Sequence, residues 1–564
     1  MPNHRIPVFS FYGGLFISLF VMFFFFGLAT WTGTPSAFFK ITGALADTSL
    51  LIFPLLFLRG KWKYLSLTVP FIVAFLLWIN ILYFRNFGDL IPSSLYLNNQ
   101  AGDNSVVDSI IPSSKVADIL LIIMPFLPVI ITLCFKSLQI DKAKPDKFII
   151  LIDLFILLAS WIITLIGSYR RIGIYNDTKD FTKIMERMYP EHSTSWIFFY
   201  NQHNFTGYGI RVVHNFNHFA KKLNREELDH IKEYISTRDN LYHSPSGFDA
   251  MDDSTNLILI VVESLPMEIM EMRKREKIIP FLTELSQDSA IIVKPLKVIV
   301  GLGRSSDAQF MYNTGLLPLR GEPLVANYAN KDYPSIAKAL GFISMEIIGE
   351  RGNLWSHNST TKSYGYDTLI SDIASNGINQ DSVIFHRAAL ETDNLPRPFF
   401  LFVSTLSMHD PYKDSKVTPV IEENDLIEFP DDRDKEYLQR VRHFDDNLRF
   451  FIQELKRKGI YENSIIMIVG DHDIEKTRVS EKLHDDAVPF IIINSPLNRP
   501  GNWQAFQTDV FPTIIDLFNV EYQFMDTKYT GLGKSIFKNP EDSTSSLPTE
   551  EDYIISDMLI RGSY

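Results

Sequence analysis

Residues 256–266 read Asn-Leu-Ile-Leu-Ile-Val-Val-Glu-Ser-Leu-Pro: seven uncharged, mostly branched residues that run straight into a carboxylate and a hydroxyl, with a proline close behind. A strand with one wet face alternates apolar and polar side chains, whereas a strand covered on both faces is apolar throughout, as in parallel sheets. The run Asn256–Val262 is therefore a buried parallel strand ending in Glu263, and Pro266 opens the helix that follows. The same pattern recurs at Ile343–Gly349, Pro398–Leu406, Ser464–Val469 and Val488–Asn494, with helical patterns such as Glu436–Lys458 and Asp509–Phe518 between the runs. Strands alternating with helices predict an α/β layered domain with a mainly parallel central sheet, whose ligands gather beyond the carboxyl ends of the strands.

Those ends carry the polar residues. Glu263 closes the first run, Ser404–Tyr412 (STLSMHDPY) closes the third with His409, and Gly470, Asp471, His472 and Asp473 close the fourth. Charged groups at the end of a buried strand must be paired or bound, and carboxylates with imidazole are the donors that a divalent metal site requires. A nucleophile candidate lies in Gly301–Phe310 (GLGRSSDAQF), where a glycine-rich turn enters a helical pattern whose first N–H groups are free to meet a phosphate. A serine hydroxyl is a weak nucleophile unless a base or a metal assists it. Ser305 or Ser306 beside a metal meets that need; either could equally be a helix N-cap ahead of Asp307.

Working toward the N-terminus, the character of the chain changes. Five runs have the length and apolarity of spanning helices: Phe9–Trp31, Ile41–Leu58, Tyr64–Phe84, Val116–Phe135 and Phe148–Tyr169. The first is too long for a signal-peptide core and reads as an anchor. Arg5, Arg59, Lys61, Lys63, Lys136, Lys142, Lys144 and Lys147 fall on one side, against Lys40, Arg85 and Lys115 on the other, so the N-terminus is inside and everything after Arg170 is outside. Asp47 and Asp153 lie within apolar runs, and interfacial placement is the simplest reading of both. The single cysteine, Cys134, sits in an apolar run, which excludes a disulfide framework and a cysteine metal site. With 54 Lys+Arg against 66 Asp+Glu, a net charge of -12 excludes nucleic acid as a partner.

The expected segments are a membrane domain over 1–169, a juxtamembrane linker with amphipathic helices over 170–250, a catalytic domain over 251–545 and a tail over 546–564. In the linker His203, His214 and His218 read as surface or packed histidines. His484 reads as a surface-loop histidine, Asp509 as a helix cap, and Tyr553–Ile560 as an edge strand.

The ordered set Glu263 (VVESLP), Ser305 (GLGRSSDAQF), Trp355 (GERGNLWSHNSTTKSYGYD), His409 (LSMHDPY), Asp471-His472 (VGDHD) and Asp509 (FQTDVFPTIIDLF) resembles the lipoteichoic acid synthase-type phosphoglycerol transferases of the alkaline phosphatase and sulfatase superfamily. The resemblance implies five N-terminal spans in the plasma or inner membrane and an outward α/β catalytic domain. It also implies one Mn2+ or Mg2+ ion on Glu263, Ser305, Asp471 and His472. Ser305, where the synthases commonly have threonine, would attack a phosphatidylglycerol-like lipid and pass phosphoglycerol to a cell-envelope glycan or glycolipid through a phospho-serine. His409 and Trp355 match positions that contact the glycerol phosphate, with Arg304, Arg351 and His357 beside them; the synthases usually carry arginine where His357 stands, which leaves the head group open. A phosphoethanolamine transferase or a phosphodiester hydrolase of the same superfamily is the alternative. A true sulfatase is disfavoured, because Ser305 is followed by Ser306, Asp307 and Ala308 rather than the C/S-x-P-x-R context. A membrane sensor with an inactive domain is disfavoured because all four donor positions are filled.

Overall fold

The computed structural model describes residues 11–30, 37–87, 90–91, 114–134, 147–175, 204–210, 222–242, 254–301, 303–320, 323–352, 354–374, 380–409, 417–474, 479–497, 500–538 and 547–562. The chain forms two compact units, Met1–Phe219 and Ala220–Tyr564. His203, His214 and His218 lie outside the described residues.

In the first unit, helices α1 (Phe11–Ala29), α2 (Ala37–Leu55), α3 (Leu65–Phe87) and α4 (Lys147–Tyr175) each hold a stretch long and apolar enough to cross a membrane. The run expected as a further span, Val116–Phe135, is divided into the helices Ile119–Ile123 and Phe126–Cys134. Pro125 lies at the break, and a proline lacks the N–H that would continue the ladder.

The buried carboxylate of Asp47 has a structural task. Its Oδ2 accepts from the N–H of Phe205 at 3.0 Å, and its Oδ1 from the N–H of Thr206 at 2.9 Å and from the Thr206 hydroxyl. It thereby caps a helical segment over 204–210, satisfying donors that have no partner inside that helix. Phe205 packs 5.8 Å from the Phe23 ring and 5.7 Å from Phe26, and the Tyr208 hydroxyl donates to the Ile91 carbonyl at 2.6 Å. Asp153 is likewise buried, on α4.

The second unit is a three-layer α/β/α sandwich. Its strands are β1 (Asn256–Val262), β2 (Ile292–Lys297), β3 (Ile343–Ile347), β4 (Thr368–Ile370), β5 (Phe399–Ser404), β6 (Ser464–Gly470), β7 (Ala487–Ile493) and β8 (Ala505–Phe506), in the order β4-β3-β5-β1-β6-β7-β2-β8. Strand β7 runs against its neighbours β6 and β2, and the other pairings are parallel. The reason β1 is apolar throughout is now visible. Leu257, Leu259 and Val261 pack into the core that also holds α6 (Ser305–Thr314), α10 (Val510–Leu517) and α11 (Glu550–Arg561). Ile258, Ile260 and Val262 enter the opposite core with α8 (Gln380–Glu391) and α9 (Asp432–Arg457).

Two elements differ from expectation. Tyr553–Ile560 lies in helix α11, where the Thr549 hydroxyl takes the N–H of Asp552 at 3.2 Å and the Asp552 carboxylate takes that of Thr549 at 2.7 Å. Ile555, Leu559 and Ile560 then fall on the buried face, a spacing of four that a strand would not need. Helix α5 (Arg225–Tyr242), within the segment read as linker, places Ile231 and Ile235 in the core of this second unit.

Replacing Asp47 by Ala leaves two backbone N–H groups without their acceptor. The detergent-solubilised Asp47→Ala chain is expected to lose about 1–3 kcal/mol of stability, and Asp47→Asn less, because its amide oxygen still accepts; thermal melts that order the three chains differently would reject the capping role.

Candidate active site

The site begins as a matter of register. Val261 lies beside Ser404 and Val262 beside Gly470, so β1, β5 and β6 end level with one another. The bonding continues past the strand ends: the N–H of Asp471 reaches the Val262 carbonyl at 3.0 Å, and the N–H of Glu263 reaches the Thr405 hydroxyl at 3.0 Å. Glu263, Asp471 and His472 consequently form one buried group whose donor atoms lie within 4.8 Å of one another.

Ser305 reaches this group from the first turn of α6. The preceding loop is tied by Asp307, whose Oδ2 accepts the N–H groups of Gly301 at 3.0 Å and Gly303 at 2.9 Å. A Cβ on Gly303 would stand 2.2 Å from Asp307 Oδ1, so a side chain at that position would displace the carboxylate. Arg304, at φ 44, turns the chain into the helix. The result sets the Ser305 hydroxyl 3.1 Å from Glu263 Oε2 and 3.0 Å from His472 Nε2. Ser306 instead donates to the Gly303 carbonyl at 2.8 Å, so of the two serines it is Ser305 that faces the group.

The state of His472 follows from its other nitrogen. Nδ1 lies 2.8 Å from the Asp473 carbonyl, which can only accept, so Nδ1 carries the proton and Nε2 is a lone pair. Arg304 donates to the same carbonyl at 2.9 Å. Burial, and then the Arg304 charge, push the imidazole down to about 3. Burial and the neighbouring charge of Glu263 push the Asp471 carboxyl well above the usual range. Nε2 thus points into two carboxylates, 3.7 Å from Glu263 and 3.5 Å from Asp471, with no proton to offer them. Two carboxylates, a neutral imidazole and a hydroxyl gathered in this way are mutually unfavourable alone and fit a divalent cation of the Mn2+, Mg2+ or Zn2+ kind.

A layer behind the donors holds β6 in place. Gln507 donates to the Asp471 carbonyl at 2.6 Å and to the Tyr312 hydroxyl at 2.9 Å, and Tyr312 donates to the Gly470 carbonyl at 2.5 Å. Asp509 accepts from the N–H groups of Phe506 and Lys534, a local capping role. The His484 side chain is largely covered rather than on an open loop, with Nδ1 3.0 Å from Asp473 Oδ2.

Residues 255–520 match the sulfatase family and residues 2–189 match the lipoteichoic acid synthase N-terminal domain. The lipoteichoic acid synthase of Staphylococcus saprophyticus is 26% identical over 535 residues, covering 88% of this chain and 78% of that one. That of Staphylococcus aureus is 25% identical over 524 residues, covering 87% and 77%. Along most of its length the chain is similar to lipoteichoic acid synthases. Its fold also matches the integral membrane lipooligosaccharide phosphoethanolamine transferase A of Neisseria meningitidis, at TM-score 0.51 and 13% identity over 92% of this chain and 96% of that one.

The remaining candidate residues fall in different places. His409 is exposed, and its charge acts on Glu263 and His472. Arg304 lies against His472 and Asp473. Trp355 and Ser356 occupy consecutive left-handed positions, φ 49 and 59, a backbone that side-chain-bearing residues adopt only when the surroundings impose it. Arg351 is exposed, 4.0 Å from Asp372. His357 opens helix α7 (His357–Tyr364) and is buried, with Nδ1 3.6 Å from Glu346 and Nε2 3.2 Å from Glu350. Burial works against the charged ring, but hydrogen bonds and charge from Glu346 and Glu350 overcome it and raise His357 to about 10.

Because the folded value lies above the ordinary 6.5, the His357 clamp stabilises fully below about pH 6.5 and is lost as pH rises through about 10. The His357→Gln chain is expected to be less stable by about 3–5 kcal/mol at pH 6, with the deficit closing toward pH 10. Melting curves across that range that show a constant gap would contradict a charged His357.

Proposed function

We propose that the chain is a membrane-anchored, metal-dependent transferase that moves phosphoglycerol from a phosphatidylglycerol-like lipid to a cell-envelope glycan or glycolipid, on the outer face of the plasma or inner membrane. One observation carries this reading: the half-buried Ser305 hydroxyl, 3.1 Å from Glu263 and 3.0 Å from His472, at the mouth of a donor set fit for a divalent cation. The 26% and 25% identical relatives, each matched along most of its length, are named for lipoteichoic acid synthesis, and that supports phosphoglycerol as the transferred group.

Glu263, Ser305, Asp471 and His472 would hold one Mn2+ or Mg2+ ion, which when bound supplies Lewis-acid stabilisation of the charge that develops on oxygen. The chain's own residues do the rest. Ser305 Oγ gives up its proton and forms a bond to phosphorus as the bond from phosphorus to the diacylglycerol oxygen breaks; that oxygen takes up a proton, giving a phospho-serine and free diacylglycerol. The acceptor hydroxyl then attacks the same phosphorus, loses its proton, and returns the Ser305 hydroxyl. His409, exposed and electrically in contact with Glu263, is placed by this reading against the glycerol phosphate, with Trp355, Arg351 and Arg304 as further substrate contacts. His357 reaches the substrate only indirectly, since both ring nitrogens face glutamates.

The test is diacylglycerol release by the solubilised full chain with Mn2+ and fluorescent phosphatidylglycerol, with phosphatidylethanolamine in parallel. Release from phosphatidylglycerol is expected, lost by about three or more orders of magnitude in Ser305→Ala and abolished by a chelator. Release from phosphatidylethanolamine alone would transfer the reading to the other head group. Release from neither would reject the lipid donor.

A further inference from the structure

Glu263 and Asp471 each present two oxygens, and one oxygen of each is engaged by the same residue. The Ser264 hydroxyl donates to Glu263 Oε1 at 2.7 Å, and the Ser264 N–H donates to Asp471 Oδ1 at 2.7 Å. Asp471 Oδ1 also takes the N–H of His472 at 2.6 Å, and Glu263 Oε1 lies 3.7 Å from His472 Nε2. The second oxygens face the other donors: Glu263 Oε2 accepts from the Ser305 hydroxyl at 3.1 Å, and Asp471 Oδ2 lies 3.5 Å from His472 Nε2. For one residue to bond both neighbours, its backbone must turn sharply between them, and Ser264 does so at φ 49, in the left-handed region. That conformation costs an L-residue about 1–2 kcal/mol. The buried Tyr437 hydroxyl, on α9, donates to the Ser264 carbonyl at 2.8 Å and fixes the peptide that follows.

We propose that Ser264 is a positioning residue of this centre: it joins the two carboxylates, turning Glu263 through its hydroxyl and, with the His472 N–H, holding Asp471, so that a divalent cation meets oxygens already aimed at it. Terminal carboxylate torsions are broad when nothing restrains them, and two carboxylates brought close would otherwise swing apart. A hydroxyl and an N–H donated to one oxygen of each offset part of that repulsion and leave the second oxygens for the cation. The inference rests on the reading of Glu263 and Asp471 as metal ligands.

The experiment is a Mn2+ titration, followed by calorimetry, of the solubilised full chain after chelator treatment, with melting of the metal-free protein measured alongside. Ser264→Gly keeps the N–H, takes φ 49 without strain and deletes only the hydroxyl. It is expected to bind Mn2+ about 10- to 100-fold more weakly while melting no lower than wild type when metal-free. Ser264→Ala deletes the same hydroxyl and keeps the strain, and is expected to weaken Mn2+ binding by the same factor. Wild-type affinity in both, with weakened binding in Glu263→Gln, would overturn the role of Ser264 and leave the metal centre standing. Wild-type affinity in Glu263→Gln as well would remove the metal reading underneath it.

Discussion

Two carboxylates and an unprotonated imidazole nitrogen, buried around one serine oxygen, form an arrangement whose members repel one another, and the surrounding structure is organised to hold it. The holding starts in the sheet. Because β1 is flanked by β5 and β6 in parallel register, Glu263, Thr405 and Asp471 emerge side by side and continue the backbone bonding beyond the last ladder pair. Behind them Gln507 and Tyr312 clamp the carbonyls of Asp471 and Gly470, and Arg304 and His472 share the Asp473 carbonyl. Each of these bonds uses a group that folding would otherwise leave buried and unpaired. The cost of collecting the donors is thus spread through the fold, and a cation would complete the balance of charge.

The parts of this fold legible in the sequence were those where one physical demand dominates. A strand covered on both faces cannot be anything but apolar, and Asn256–Val262, Phe399–Ser404 and Ser464–Gly470 announced themselves in that way. Strand β2 did not, because Ile292–Lys297 carries two lysines and a proline; Lys294 finds the carbonyls of Gly501 and Trp503, a partnership set by tertiary structure. Helix α11 could have been read from Thr549 and Asp552 three residues apart, ahead of apolar positions at helical spacing. The interrupted run at Pro125 could have been read from the proline itself.

The site was legible in outline and not in its supporting layer. Donor types at strand ends point to a metal, but Ser264 and Gln507 matter through bonds to Asp471, distant in sequence, and Asp307 through the shape of the loop it ties; single-residue chemistry does not reveal such bonds. His357 shows the reverse limit. A histidine two residues past a tryptophan suggests a substrate contact, yet Glu350 bonds one ring nitrogen and Glu346 faces the other. Asp47 is similar within the membrane unit, where an ionisable group in an apolar run turns out to cap the segment over 204–210.

The most direct test of the donor set is anomalous diffraction from crystals of the protein grown with Mn2+, recorded at the manganese edge. The account expects a single strong peak bonded to Glu263, Ser305, Asp471 and His472. A peak elsewhere, or an ordered site without one at saturating Mn2+, would contradict the assignment of these four residues as the metal centre.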